Sequence, residues 1–374
     1  MKKILSLLSA AFLTIILTVG FLVWDRYRKN SETFIPFPYE FETSNTKLEV
    51  DSPILIIGDR MGERLLDFKV HLAETISTGL VNPIKIQGLA KKGKGIHRTI
   101  QDVESLSKWP QILIYQGSSE EFSEQKFLTK ELKNIHSNFQ LFRNDKIQTL
   151  LVLYPWFSRI LYWTVEKVQL SERPSLSEEV TDESEYLKRL EVELLLFEEH
   201  LKHLVSLTRD RNALLILTTT PLNLDEAPKK SCSFSTSSEL QKELGKLRDF
   251  LRDNNPKEAY LESTKLMNKF PGNADLLYLH GQVAKRLGKT DEALTSLVKA
   301  SAFECLPWRS TEVHNSIIRK VARENQVMLF DFAQMMEKNF IQEETFVDEL
   351  YPQNRYYEMA MEQLGLAIKG ILKL

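Results

Sequence analysis

Cysteine and histidine are scarce in this chain of 374 residues, which contains 2 cysteines and 7 histidines. The cysteines lie 73 positions apart and the histidines are scattered, so no group has the spacing of a zinc site. The sequence therefore predicts no metal and no other cofactor. A large charge of one sign is also lacking, because the formal net charge is only -2. The overall electrostatics thus give no indication of nucleic-acid binding.

Charged residues are missing altogether from one long segment at the N-terminus. Ile4 to Trp24 contains none and is long enough, at ~1.5 Å per residue, to cross a ~30 Å hydrocarbon core. We expect residues 1–30 to be an uncleaved membrane anchor. A cleaved signal peptide is the alternative, but no small-residue cleavage site follows Gly20. The polar residues 31–51 are expected to form a stalk between the membrane and the body.

Five short apolar runs alternate with long amphipathic segments in the rest of the chain. Apart from Lys85 in the second run, they are apolar on both faces, which is typical of strands buried in a parallel sheet. The predicted strands are Ile54–Ile57, Ile84–Ile86, Ile112–Tyr115, Leu214–Leu217 and Val327–Phe330. The alternation predicts an α/β fold, a three-layer α/β/α sandwich with helices on both faces of a parallel sheet.

Residues 237–306 interrupt this alternation, because they show helical patterns and no strand-like run. Asn255-Pro-Lys-Glu-Ala259 is matched 34 positions later by Lys289-Thr-Asp-Glu-Ala293. Gly281 and Ala293 are expected where the two helices of a hairpin approach closely. The segment resembles about two tetratricopeptide (TPR) repeats, and a generic four-helix insertion is the alternative. We expect it to dock on the α/β body and to bind a protein or peptide on its concave face.

Four short blocks at predicted strand ends resemble the SGNH/GDSL hydrolase superfamily in their order along the chain. They are Gly58-Asp59-Arg60, Gly88, Gly117-Ser118-Ser119-Glu120 and Asp348-Glu-Leu-Tyr351-Pro352. In that family the first block holds the nucleophilic serine, the next two help to bind the oxyanion, and the last reads Asp-x-x-His. The resemblance implies a flavodoxin-like core whose first part is 52–236, a helical insertion at 237–306, and a last part of the core at 307–374.

The same resemblance implies that the reactive groups have been lost. The family's site positions are occupied by Asp59, Arg60, Gly88, Ser119, Asp348 and Tyr351. Arg60, at the nucleophile position, stays protonated and cannot attack a carbonyl. Tyr351, at the base position, has an ordinary pKa of about 10 and is a poor base near neutrality. We therefore expect a pseudoenzyme, while the alternative is an active acyl-esterase or O-acetyltransferase with non-standard residues.

The remodelled pocket could instead hold an anionic or carbohydrate ligand at the carboxyl edge of the sheet. Its expected ligand-binding residues are Arg60, Gly88, Lys91, Lys94 and Ser119. The alternative is that Arg60 forms a salt bridge with Asp348 or Glu63 and fills the vacated space.

The two cysteines, Cys232 and Cys305, flank the helical segment. A disulfide between them would clamp its base, whereas two isolated buried thiols are the alternative. By resemblance to cell-envelope proteins, we expect a single-pass protein of a bacterial inner membrane with its body in the periplasm. Its expected partners are the membrane, a protein or peptide, and a cell-envelope glycan, but no nucleic acid.

Overall fold

A computed structural model describes most of the chain, which divides into two compact units. The first unit comprises residues 1–42 and 126–172, and the second comprises 43–125 and 173–374. Residues 126–172 are thus grouped with the N-terminal residues, whereas the sequence placed them in one continuous stretch of core, 52–236. The described residues are 12–22, 37–42, 47–79, 83–142, 144, 146–147, 150, 165–171, 183–229, 238–305, 308–340 and 343–372.

Strands and helices alternate along much of the described chain. The strands are β1 (Tyr39–Phe41), β2 (Ile54–Gly58), β3 (Ile86–Gly88), β4 (Ile112–Gln116), β5 (Val168–Leu170), β6 (Leu214–Thr218) and β7 (Met328–Phe330). The labelled helices are α1 (Arg60–Leu66), α2 (Lys69–Ser77), α3 (Ile96–Glu104), α4 (Leu132–Phe142), α5 (Glu183–Asp210), α6 (Ser238–Arg252), α7 (Pro256–Lys269), α8 (Ala274–Arg286), α9 (Thr290–Ala302), α10 (Glu312–Glu324), α11 (Phe332–Phe340) and α12 (Asn354–Leu372).

The smaller unit contains a short parallel pair of strands, in which β1 pairs with β5. Residues 12–22 are helical, whereas the remainder of the predicted anchor, and residues 31–36 and 43–46 of the predicted stalk, lie outside the described residues. Among the residues that the structure describes, no helix combines the length and the apolar character needed to span a membrane. The N-terminal anchor therefore stays a prediction.

The larger unit is built on a parallel sheet of five strands in the order β3-β2-β4-β6-β7. Counted within this sheet, the order is 2-1-3-4-5, which is that of flavodoxin-like doubly wound folds. Every residue of β2 and β4 is buried, as expected for strands that are apolar on both faces. The predicted parallel sheet is confirmed, although β3 begins two residues later than the predicted run.

Two separate hydrophobic cores lie on the two faces of this sheet. Successive side chains of a strand point to opposite faces, so Ile54 and Ile56 contribute to one core and Leu55 and Ile57 to the other. Residues of α2, α11 and α12 fill the first core, and residues of α3, α5 and α10 fill the second. The three-layer α/β/α arrangement is therefore confirmed.

Helices α6 to α9 form two successive hairpins within the predicted insertion. Leucines of α6 and residues of α7 and α8 share one apolar cluster. A Cβ on Gly281 would lie 2.6 Å from Leu297 Cγ and 3.2 Å from Ala293 O, so α8 and α9 do approach closely at this glycine. The identity of the hairpins as tetratricopeptide repeats stays a prediction.

Cys305 is buried and disulfide-bonded. Cys232 is the only other cysteine of the sequence, but it lies outside the described residues. The pairing of these two residues therefore stays a prediction.

Candidate functional site

The chain turns sharply from β2 into α1 at Gly58. This residue has a φ of 131°, and a Cβ there would lie 1.9 Å from Gln116 O on β4, so only glycine fits. Asp59 is the N-cap of α1, and its Oδ1 accepts a hydrogen bond from the Met61 N–H at 2.8 Å. Arg60 is the first residue of α1, which places it at the carboxyl edge of the sheet, the usual ligand edge of such folds.

Asp59 also holds the loop that follows β4. Its Oδ2 accepts hydrogen bonds from the backbone N–H groups of Ser118, at 2.9 Å, and Ser119, at 2.6 Å. Burial raises the pKa of Asp59, while the N–H groups of Met61 and Ser119 act in the opposite direction. These two backbone donors at the end of β4 are therefore engaged by a carboxylate of the chain itself.

Arg60 pairs with Glu120, whereas the sequence suggested Asp348 or Glu63 as its partner. Arg60 Nε lies 2.5 Å from Glu120 Oε1, and the two side chains are 17% and 6% exposed. Both atoms are buried, yet their geometry does not meet that of a hydrogen bond. The contact is therefore an ion pair held by charge, and it occupies the place that the resemblance assigns to the nucleophile.

Asp348 and Tyr351 lie in the loop of residues 346–351. Asp348 Oδ1 accepts hydrogen bonds from the N–H groups of Leu350, at 2.8 Å, and Tyr351, at 2.7 Å, so its carboxylate stabilises its own loop. Burial raises the pKa of Tyr351, and the charge of Arg60 opposes this shift. Arg60 and Tyr351 thus act on each other electrostatically, and the tyrosine stays protonated at neutral pH.

A crevice of only about 10 Å³ adjoins these residues. Its lining residues are Met61, Ser119, Thr220, Pro221, Leu222, Asn223, Arg309, Ser310, Glu349 and Leu350. A space of this size holds about one water molecule. Ser119 Oγ is buried, and the Ser119 side chain acts to lower the pKa of the neighbouring Asp59 carboxyl. None of the described residues that line the crevice is a histidine, the residue that most often serves as a general base.

The neighbouring Ser118 has a strained backbone. Its φ is 122°, a region that non-glycine residues adopt only when their surroundings enforce it. Two sets of contacts do so here. The Asp59 carboxylate binds the Ser118 N–H, and Ser118 Oγ lies 2.7 Å from Ser310 Oγ and 3.2 Å from Thr220 Oγ1.

The positive charge of the expected anion-binding residues after β3 is partly neutralised by a carboxylate of the chain. Lys94 forms an ion pair with Asp102 of α3. Gly88 packs against α1, because a Cβ there would lie 2.1 Å from Leu66 Cδ1. Lys91 is exposed, and its backbone N–H donates to Gly58 O at 3.2 Å. With Arg60 and Lys94 both bound to carboxylates of the chain, the positive charge available for an anionic ligand is reduced.

Sequence reasoning missed the role of the glutamates in the loop after β4. Glu121 Oε1 accepts from the Ile96 N–H at 2.9 Å, at the start of α3. Glu124 contacts His97 Nε2 at 2.7 Å and accepts from Arg98 Nε at 2.6 Å. Burial alone would raise the pKa of Glu124, but the hydrogen bonds from His97 and Arg98 lower it to about 2.

These glutamates, together with Glu120, fix the loop to both α1 and α3. The sequence contained a pattern that could have predicted this pairing. Three acidic residues within 120–124 follow a predicted buried strand, at the edge of the sheet where basic residues were expected. Acids and bases that meet at one buried edge are expected to pair.

A serine–histidine contact lies within the helical hairpins, away from the sheet edge. Ser263 Oγ is 2.9 Å from His280 Nδ1, and His280 Nε2 is 3.1 Å from Glu292 Oε1. The set has the residue types of a catalytic triad. However, Ser263 is 0% exposed, so a substrate cannot reach it. The three side chains instead link α7, α8 and α9.

Comparisons with known proteins show similarity in structure but no match in sequence. No protein-family model and no curated protein matches the sequence. A GDSL-like lipase from Bacteroides thetaiotaomicron is similar in structure, with 10% identity, coverage of 85% of this chain and 88% of that chain, and a TM-score of 0.32. A protein assigned as an acylhydrolase from Bacteroides fragilis gives 12% identity, coverage of 93% and 96%, and a TM-score of 0.33. TM-scores this low do not establish a shared fold, so the fold assignment rests on the strand order and the two cores.

Proposed function

We propose that this protein is a non-catalytic binding or scaffold protein built on an esterase-like α/β/α fold. The observation that carries the proposal is the Arg60–Glu120 ion pair at the position expected for the nucleophile. Acyl transfer needs a nucleophile, a base within reach and room for the acyl group. Here the expected base is the protonated Tyr351, and the adjoining crevice holds about one water molecule.

The helical hairpins α6 to α9 are the binding element of this proposal, and a protein or peptide is the partner class. Helix pairs docked on a larger body present long exposed faces to a partner. Leu261 of α7 is 62% exposed and supplies apolar surface there. An anionic or glycan ligand in the sheet-edge pocket has less support, because Arg60 and Lys94 are already paired.

We further propose that the body lies outside the inner membrane, in an oxidising compartment. Two features support this location. The run from Ile4 to Trp24 is long enough for an anchor, and Cys305 is disulfide-bonded, a state that persists mainly in oxidising compartments.

Hydrolysis of p-nitrophenyl acetate by the full chain, purified in detergent, tests the absence of catalysis. We expect no turnover above the buffer rate, and we expect Ser119→Ala to behave as the wild type does. Turnover that Ser119→Ala abolishes would overturn the proposal in favour of the alternative, an active acyl-esterase with non-standard residues.

A photo-crosslinking residue at Leu261 tests the binding role in native membranes. We expect a specific adduct at this position. The matched control is the same residue at Lys108, whose side chain is 71% exposed on the α/β body. Equal adduct patterns at both positions, or none at Leu261, would contradict the assignment of the helical hairpins as the binding element.

A further inference from the structure

The segment of residues 219–226, which leaves the carboxyl end of β6, contacts the helical hairpins on one side and the crevice on the other. It contains neither helix nor strand. Asn315 of α10 fixes its beginning, since Asn315 Oδ1 accepts from the Thr220 N–H at 2.8 Å and Nδ2 donates to Thr220 O at 2.9 Å. Arg309 holds its later part by donating to Asn223 O at 2.9 Å and Glu226 O at 3.2 Å.

Helix α8 binds the outer side of this segment at Asp225. Lys285 Nζ lies 2.8 Å and 3.1 Å from the two carboxylate oxygens of Asp225, and Gln282 Nε2 lies 3.3 Å from Oδ1. The Tyr278 hydroxyl donates to Asp225 O at 2.7 Å. These three residues of α8 are spaced by four and three positions, so they share one face of the helix.

An apolar contact reinforces this attachment. Leu224 is 4% exposed and belongs to a cluster with Leu297 of α9 and Phe340 of α11. Leu224 and Asp225 are adjacent in the sequence. The helical hairpins therefore bind this segment through one apolar and one charged side chain. This face of α8 is therefore engaged by the chain itself.

The inner side of the segment continues directly to the loop that carries Tyr351. The Asp225 N–H donates to Asn223 Oδ1 at 3.1 Å, and Asn223 Nδ2 donates to Asp348 O at 2.9 Å. Asp348 Oδ1 in turn accepts from the Tyr351 N–H at 2.7 Å. An unbroken series of hydrogen bonds thus runs from Lys285 on α8 to Tyr351 in the loop 346–351.

We propose that α8 controls the closure of the crevice through Asp225 and Asn223. While α8 holds Asp225, Asn223 is oriented to hold the loop 346–351, and Glu349 and Leu350 of that loop close one wall of the crevice. When Asp225 is released from α8, Asn223 loses its orienting N–H contact and the loop opens. The helical hairpins and the sheet-edge pocket are therefore coupled sites, a relationship that holds whether or not the pocket is catalytic.

Hydrogen–deuterium exchange of the full chain in detergent tests this coupling. Lys285→Met removes the ionic contact with Asp225, and Asn223→Ala removes the contact with the loop. We expect each change to raise amide exchange in residues 346–351 by at least ~3-fold, because local opening sets the exchange rate of protected amides. The double variant should exchange no faster than Asn223→Ala alone, since both changes break the same series of bonds.

Two further variants separate coupling from general loosening. Lys269→Met removes a comparable exposed ion pair, in which Lys269 Nζ lies 2.7 Å from Glu239 Oε1, and should leave residues 346–351 unchanged. Lys285→Arg retains a donor for Asp225 and should restore protection. Faster exchange confined to α8 and residues 219–226 would overturn the proposal, as would an equal increase in Lys269→Met.

The reactivity of a thiol introduced by Ser119→Cys gives a second readout. This position lines the crevice and is 6% exposed in the wild type. With the loop open, Lys285→Met should raise its rate of alkylation by iodoacetamide several-fold, and Lys269→Met should not. An unchanged rate in a folded Lys285→Met protein would contradict control of the crevice by α8.

Discussion

Arg60 and Glu120 form a buried ion pair between the ends of two neighbouring strands, with Arg60 Nε 2.5 Å from Glu120 Oε1. The residues are 60 positions apart in the sequence, but the parallel register places Gly58 opposite Gln116 and so brings the two strand ends together. The pair joins the start of α1 to the loop after β4. The position at which the resemblance predicts a nucleophile thus makes a structural contact.

Arg60→Met should destabilise the protein strongly. The change leaves the Glu120 carboxylate buried without its partner, and breaking one side of a buried ion pair costs about 3–5 kcal/mol. The free energy of unfolding in urea at neutral pH measures this loss. The combined variant Arg60→Met, Glu120→Gln removes the stranded charge and should recover most of the stability. Equal stability of the single variant and the wild type would show that the pair contributes nothing.

Asp59→Ala should also destabilise the protein, by about 1–3 kcal/mol, because it leaves buried backbone donors without an acceptor. Those donors are the N–H groups of Met61, Ser118 and Ser119. Asp59→Asn retains one side-chain oxygen and is the matched control, with a smaller expected loss. The urea midpoints of the three proteins test this order. A larger loss for Asp59→Asn than for Asp59→Ala would contradict the capping role.

The sheet could be predicted from the sequence because its central strands, β2 and β4, are buried on both faces. Runs such as Ile54–Ile57 and Ile112–Tyr115 have no polar face, a pattern that fits a central parallel strand and little else of that length. The close approach of two helices at Gly281 was likewise expected from residue type. These features depend on local pattern, which a sequence displays directly.

The partners within the site could not be predicted, because several residues of the same charge were available at one edge. Glu63, Asp348 and Glu120 were all possible partners for Arg60. Which acid pairs with Arg60 depends on the contacts that the other two make. Glu63 Oε2 accepts from the Lys92 N–H, and Asp348 Oδ1 accepts from its own loop.

The contact between α8 and Asp225 was missed for a related reason. Asp225 lies in a segment without periodicity, so no sequence pattern marks what it contacts.

Acid should remove the stabilisation that Glu124 provides. The hydrogen bonds from His97 and Arg98, opposed by burial, hold the pKa of Glu124 at about 2, against an ordinary value of 4.5. A carboxyl with a lowered folded-state pKa stabilises the folded state above its unfolded value, and that contribution is lost as the pH falls from about 4.5 toward 2. The free energies of unfolding of the wild type and Glu124→Gln should therefore differ at pH 7 and converge in acid. A difference independent of pH would exclude titration of Glu124 as the cause.

Glu337 should give the opposite dependence on pH. Burial, reinforced by the nearby negative charge of Glu312, raises the pKa of Glu337 to about 7 from 4.5. The folded state therefore holds this proton more tightly than the unfolded state does. Its contribution to stability is complete below about pH 4.5 and is lost as the pH rises through about 7.

Glu337→Gln is the matched variant, because the amide does not titrate. Compared with it, the wild type should lose stability between about pH 4.5 and 7 and then show no further relative change. Urea unfolding of both proteins at closely spaced pH values measures the difference. A wild type that gains stability relative to Glu337→Gln over this interval would contradict the assignment.

Alanine at two helical glycines should change stability in opposite directions. A Cβ added at Gly245 of α6 would meet no heavy atom within 4 Å, whereas a Cβ added at Gly281 of α8 would lie 2.6 Å from Leu297 Cγ. Gly245→Ala should therefore raise the free energy of unfolding by about 0.5–1 kcal/mol, through the better helix propensity of alanine. Gly281→Ala should lower the free energy of unfolding by about 1–3 kcal/mol, because the extra methyl group overpacks the buried contact between α8 and α9.

Thermal and urea unfolding measure the opposite changes in stability of the two variants, and each variant serves as the control for the other. Stabilisation by Gly281→Ala equal to that by Gly245→Ala would mean that the two helices do not approach closely at this residue.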